Sequence, residues 1–213
     1  MIEVKSAELI NIDSNLDQAV QKAKKLYLEG SVFVYPTDTI YGFGANPFNE
    51  DAVKKIDNIM RRESGKMYIL LINNIETLLK YIEIKSENHL DFLLSIWPNP
   101  VSVVLSLNSK ASQLLGVKTA AFRIPNHRFC LKLIGELQMP LISTSVNRSS
   151  NPPLVEPNFI MDEFSSEVEA IFYSDKKCFY EASTLIDLND ASPVLLREGK
   201  IKFSDIMEKF EKC

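Results

Sequence analysis

Val32-Phe33-Val34-Tyr35-Pro36-Thr37-Asp38-Thr39-Ile40-Tyr41-Gly42 decides how this chain is read. Its first three residues form a short apolar run of the kind that makes a buried strand. Pro36 lacks a backbone donor and biases Tyr35 towards extended backbone, so regular pairing is expected to stop there. Hydroxyls and one carboxylate follow, and Gly42 and Gly44 close the stretch. Extended alternation would put Thr37, Thr39 and Tyr41 on one side and Asp38 on the other. Open α/β sheets bind ligands beyond strand ends, and three hydroxyls there suit a small polar ligand. The same residue types also favour turns, so the stretch alone fits an ordinary turn equally well.

Outward from this point, strand-like and helix-like segments alternate. Leu16, Ala19, Val20, Ala23, Leu26 and Tyr27 recur at helical spacing, with Ser14 as a possible cap and Gly30 as a stop. A second helix is expected over 50–62, and others near 76–82, 88–96, 127–137 and from about 203. Strands are expected at 31–35, 67–72, 101–107, 118–124 and 140–144, then near 169–173, 184–188 and 194–197. This mixture predicts an α/β fold, with VSVVLSL and TAAFRI pairing antiparallel in a mixed sheet. The segment 147–158, NRSSNPPLVEPN, reads as loop and as a mobile cover over a site. Neither a repeat nor a dividing linker is visible, so 1–213 is expected to be a single domain.

Composition narrows the function classes. A net charge of −4 without long runs of one sign argues against a surface given over to nucleic acid, although a local basic patch remains compatible. Cys130, Cys178 and Cys213 form no CxxC pair and read as reduced thiols of a cytoplasmic protein. His89 and His127 lie away from them, so no metal site is expected. The first ten residues lack the pattern of a signal peptide, and the longest apolar runs, six or so residues, are too short to span a membrane. Neither GxxxxGK[ST] nor GxGxxG occurs, so a bound nucleotide must rely on side chains and scattered backbone donors.

Several side chains are candidates for such a task. Arg62 and Lys66 lie four apart at the end of the second helix and into the next loop, where cations also simply match the helix dipole. In Thr119-Ala120-Ala121-Phe122-Arg123, alternation puts Thr119, Ala121 and Arg123 on one face. An arginine closing an apolar strand needs a carboxylate or phosphate, whether from the fold or from a ligand. Ser143, Ser145 and Asn147 alternate at the end of the strand begun by Pro140-Leu141-Ile142, and Ser183 opens STLID. Arg197 follows an apolar strand, where a surface arginine is ordinary. Trp97 reads as packing. His127 starts a helix and is a poor general base.

These blocks together resemble the YrdC-like family of threonylcarbamoyl-AMP synthases. The resemblance runs in order through YPTDTIYGFGAN at 35–46, Ile59-Met60-Arg61-Arg62 to Lys66, and WPNPVS at 97–102. It continues through FRIPNH at 122–127, Ser145-Val146-Asn147, STLID at 183–187 and LREG at 196–199. It implies a YrdC-like twisted sheet of parallel and antiparallel strands with helices packed against it. It also implies L-threonine at Thr37, Arg123, Ser145 and Ser183, and ATP at Arg62, Ser64, Lys66, Thr119, Asn147 and Arg197. The implied reaction joins ATP, bicarbonate and L-threonine with Mg²⁺ and serves t6A modification of tRNA. A downstream tRNA threonylcarbamoyl transferase is the implied partner, with tRNA binding possible. Larger relatives carry a further carboxy-terminal domain, for which this chain is expected to be too short.

Three positions depart from the resembled pattern: Met60 stands where a lysine is usual, Ser150 where a glycine is, and Glu198 where a proline is. Arg61 is the neighbouring cation available to stand in for the lysine, although adjacent helical residues point about 100° apart. The departures support a rival reading, a paralogue without synthase activity that binds RNA or ribosomes. Another amine acceptor on the same fold is a third reading.

Overall fold

The computed structural model describes residues 6–62, 68–176 and 181–213. Ser64, Lys66 and Cys178 therefore lie outside the described residues. The strands are β1 (Glu8–Asn11), β2 (Phe33–Tyr35), β3 (Gly42–Gly44), β4 (Ile69–Leu71), β5 (Val101–Ser106), β6 (Thr119–Arg123), β7 (Leu141–Ser145), β8 (Ala170–Tyr173), β9 (Thr184–Asp187) and β10 (Val194–Arg197). They form one sheet in the order β1-β8-β2-β3-β7-β4-β6-β5-β9-β10. Parallel pairs (β1 with β8, β4 with β6, β5 with β9) mix with antiparallel ones (β2 with β3, β4 with β7, β5 with β6). The expected antiparallel pairing of VSVVLSL with TAAFRI is the β5–β6 pair.

The helices are α1 (Leu16–Leu28), α2 (Glu50–Met60), α3 (Ile75–Leu79), α4 (Glu87–Ile96), α5 (Ser109–Leu115), α6 (Arg128–Leu137), α7 (Pro157–Phe164) and α8 (Phe203–Phe210). Asparagine starts four of them: Asn15, Asn49, Asn74 and Asn108 each accept the backbone N–H three residues on. The cap of α1 is thus Asn15, not Ser14. The end of α2 is a Schellman motif, Arg61 N–H to Asn58 O and Arg62 N–H to Asp57 O, with Arg61 left-handed at φ 52°.

The alternation of the central strands sends their residues to two unlike faces. Leu70, Val103, Phe122, Ile142 and Ile186 enter one apolar core with α2, α4, α7 and α8. On the other face, Leu71 and Leu141 join Phe33, Tyr35 and Phe172 beneath α1 and α6. Farther along that second face, among the described residues, no helix covers Ile69, Ala121, Ser143 and Val104, which line a cavity. They stand in register across four strands.

Four elements, β1, β3, α5 and α7, escaped the sequence reading, β3 and α7 for identifiable reasons. Glycines flank Phe43 in β3 and depress strand propensity, yet a Cβ at Gly44 would lie 2.7 Å from the Phe33 and Tyr35 rings. The helix α7 begins inside the segment read as loop. Pro157 occupies its first turn, where proline is favourable, and Ile160 and Phe164 bury at i and i+4. The remainder of that segment is fastened, not free. Ser149 N donates to Met60 O, Leu154 N to Val146 O, and Arg148 bonds Ile59 O, Glu163 and Glu167. The mobile cover expected at 147–158 is therefore corrected to a tethered loop leading into a helix.

Candidate active site

The uncovered sheet face forms the floor of a cavity of about 410 Å³, a size suited to a small-molecule ligand. Thr39, Ile40 and Tyr41 from the β2–β3 connection form one wall, Met60, Arg62 and Tyr68 another. Ser183, Leu196 and Arg197 close the side towards β9 and β10. Three arginines and five Ser or Thr side chains stand among the described lining residues, and no Asp or Glu does. That donor set fits an anion.

Arg123 occupies the floor at 2% exposure. Its Nη1 donates to Thr39 Oγ1 at 3.0 Å, and its Nη2 lies 3.5 Å from Asp38 Oδ1. The latter contact is ionic and too long for a hydrogen bond of ordinary length, so Asp38 Oδ1 has no hydrogen-bond partner. Arg123 Nε likewise has none. An arginine in this state keeps part of its donor fork for a carboxylate or phosphate.

Thr39 is held by its neighbour. Thr37 Oγ1 donates to Ile40 O, accepts from Thr39 N at 3.0 Å and lies 2.9 Å from Thr39 Oγ1. This local turn replaces the extended alternation expected after Pro36. Its consequence is a correction: Thr39 and Tyr41 line the main cavity, whereas Thr37 and Asp38 line a separate one with Asp13, Asn126 and His127. Thr37 thus acts beneath the site, and Thr39 is the hydroxyl at its surface.

Ser145 lines the cavity and donates to Asn147 Oδ1 at 2.5 Å. Asn147 itself does not line it, because its amide is committed to the carbonyls of Arg148 and Asn151. Thr119 shares the Arg123 face but begins the strand, about 13 Å away at strand rise, and does not line the cavity either. Neither Asn147 nor Thr119 stands among the described residues that line this cavity.

Ser183 precedes β9, its hydroxyl 2.9 Å from that of Ser102, and its carbonyl accepts from Arg197 Nη2 at 2.9 Å. A bulge at Leu195/Arg197 shifts the β9–β10 register, which lets the consecutive Leu196 and Arg197 both reach the cavity. Burial first, and then the charge of Arg123, pull the Arg197 guanidinium below its ordinary value. Two guanidiniums that disfavour each other in one cavity are relieved by a bound anion.

Arg62 donates through Nε to Asp57 Oδ1 at 2.9 Å and lies over the Tyr68 ring at 4.0 Å. The Tyr68 hydroxyl donates to the same Asp57 oxygen at 2.5 Å. Burial, then that hydrogen bond, raise the Tyr68 phenol well above its ordinary value, so it stays a donor. Met60 packs at this wall, its sulfur accepting from Thr144 Oγ1 at 3.7 Å. Arg61 is exposed and absent from the lining, and its charge acts instead on Glu167, a carboxyl held low chiefly by Arg148. It does not stand in for the missing lysine.

The other two departures have structural roles. Ser150 takes the left-handed conformation at φ 69° that a glycine there would take freely. Glu198 accepts the Phe203 N–H at the start of α8. Sequence reasoning singled out Thr39 only as one of three hydroxyls suited to a small polar ligand, and it missed Asp57 and Tyr68, which carried no local signal.

Comparison with known proteins agrees with this architecture. The family model for Sua5, YciO and YrdC, described as "Telomere recombination", matches residues 25–199. The chain belongs to this family. It is 30% identical over 204 residues to a threonylcarbamoyl-AMP synthase of Pyrococcus abyssi, covering 93% of this chain and 59% of that protein. A Vibrio vulnificus protein of the same name is 30% identical over 190 residues, covering 87% of this chain and 99% of its own length. The crystal structure of P. abyssi Sua5 complexed with L-threonine superposes with a TM-score of 0.86 at 29% identity. That match covers 94% of this chain and 60% of the other. E. coli YciO shares the fold at a TM-score of 0.82, 23% identity, and coverage of 93% and 97%. The chain thus spans well under two thirds of the P. abyssi protein and nearly all of the Vibrio one. Among the described residues no helix is long and apolar enough to cross a membrane.

Proposed function

We propose that residues 1–213 act as one catalytic domain, a nucleotidyltransferase that makes L-threonylcarbamoyl-adenylate from ATP, bicarbonate and L-threonine. The observation that carries this reading is Arg123: buried, braced by Thr39 and facing Asp38 at the cavity floor. Such a fork suits the threonine carboxylate, with Ser145 and Ser183 near it. The amine condenses with bicarbonate to a carbamate and water. A carbamate oxygen then bonds to the α-phosphorus of ATP as the α–β phosphoanhydride breaks and pyrophosphate leaves. The work asked of the protein is to hold anions together and offset their charge, which Arg62, Arg197 and Lys66 supply.

Magnesium would neutralise phosphate charge. Among the described residues no group of three His, Cys, Asp or Glu side chains is placed to hold a metal, so the ion is expected to arrive on the ATP phosphates. The product would pass, in the cytoplasm, to a transferase acting on tRNA in t6A formation. Names and titles of the similar proteins support the same chemistry.

The rival reading, an RNA- or ribosome-binding paralogue, loses most of its support because Ser150 and Glu198 keep the fold intact. Incubation with ATP, bicarbonate, L-threonine and Mg²⁺, followed by mass detection, tests the proposal. Product that disappears when threonine is omitted supports it; its absence, with salt-sensitive RNA binding, supports the rival.

A further inference from the structure

We propose that Asp57 and Tyr68 are positioning residues that set Arg62 for the phosphates of ATP. This rests on the synthase reading and adds to it how the weakened cationic wall still functions. With Met60 neutral and Arg61 exposed and outside the lining, the described cation on the α2 side of the cavity is Arg62. Arginine is a long side chain, and holding it in one pose opposes rotamer freedom. Here the pose is fixed twice. Asp57, buried at 4% exposure, takes Nε, and the Tyr68 ring lies beneath the guanidinium. Tyr68 in turn bonds Asp57, so the three groups form a closed set across the end of α2 and the start of β4. Asp57 does not line the cavity, whereas Arg62 and Tyr68 do. Arg62 lines the cavity, where a phosphate would meet its guanidinium.

Charge alone and positioning predict opposite results for one substitution. Removing a carboxylate makes the cavity more positive, so pure electrostatics predicts tighter ATP binding by Asp57→Ala. Positioning predicts a rise in KM for ATP of about tenfold, the scale of losing one charge-assisted hydrogen bond. Asp57→Asn keeps an acceptor for Nε and is expected to stay within about threefold of the native KM. Tyr68→Leu removes the ring and the hydroxyl together and is expected to resemble Asp57→Ala.

In each variant the KM for L-threonine should stay native, because Arg123 and Thr39 lie on other walls. Circular dichroism and thermal unfolding of the full chain report whether each variant folds. Should Asp57→Ala fail to fold, Tyr68→Leu and Asp57→Asn carry the test. An unchanged or lowered ATP KM in the folded variants, or equal rises in both KM values, overturns the positioning role. Failure of the native chain to make product or to bind ATP would instead overturn the synthase reading beneath it.

Discussion

Replacing Arg123 separates its two tasks, neutralising Asp38 and holding a ligand carboxylate. Arg123→Met keeps much of the side-chain volume while deleting the guanidinium. The change leaves Asp38 buried with only the Asn126 N–H on Oδ2, at 3.0 Å. Breaking a buried ion pair from one side costs about 3–5 kcal/mol, which at this chain length lowers the Tm by roughly 10 °C. Pairing it with Asp38→Asn removes the stranded charge and should restore most of that stability. Ligand affinity should not return. The Arg123 guanidinium carries N–H donors on its Nη groups beyond those facing Thr39 and Asp38, and each charge-assisted bond to a carboxylate is worth about 1.5–3 kcal/mol. Two such bonds amount to at least about 3 kcal/mol, or roughly 150-fold in Kd. Isothermal titration with L-threonine on the native chain and the double variant measures it. A folded double variant that binds threonine within threefold of native refutes the assignment of the floor arginine to the amino acid.

Other consequences follow from single residues. Met60→Lys places an ammonium at the α2 wall of the cavity and should lower the KM for ATP about fivefold, on the scale of a single ~1 kcal/mol charge contact, as read by steady-state kinetics. Ser150→Gly relieves a left-handed serine and should stabilise by about 0.5–1 kcal/mol after glycine's entropy is set against it, raising Tm by roughly 2 °C. Burial holds His127 below its ordinary value of 6.5, so the unfolded chain takes up this proton first as pH falls. Its contribution is present above about pH 6.5 and is lost as pH drops through the range below; denaturant titrations should show a shallower decline in His127→Gln.

The sequence carried the sheet floor because alternation is a local rule. Leu141, Ser143 and Ser145 share a face by spacing alone, as do Ala121 and Arg123, and of these Ser143, Ser145, Ala121 and Arg123 line the cavity. What it could not carry was anything decided by a partner distant in the chain. Thr37 and Thr39 look interchangeable until the Thr37 hydroxyl turns back to Ile40 O and leaves Thr39 to meet Arg123. Asn147 resembles a ligand residue until Asn151 and Arg148 present carbonyls to its amide. The strand β3 was hidden because its glycines answer to the Phe33 and Tyr35 rings across the pair, not to any propensity of their own.

The same logic explains how a cavity can tolerate Met60. A lysine at the end of α2 would bring charge on a flexible stem, free to follow the phosphates. Met60 instead packs, accepting from Thr144 and receiving the Ser149 N–H at its carbonyl, which ties the loop after β7 to the end of α2. The helix then ends in a Schellman turn whose left-handed residue, Arg61, is exposed and stands outside the cavity lining. That turn brings the next residue back, so Arg62 N–H closes on Asp57 O while Arg62 Nε closes on the Asp57 carboxylate. One aspartate therefore fixes both the backbone and the side chain of the arginine at the cavity wall. A rigid guanidinium loses less freedom on meeting a phosphate than a mobile ammonium does. The wall has exchanged the number of its charges for the fixed direction of one.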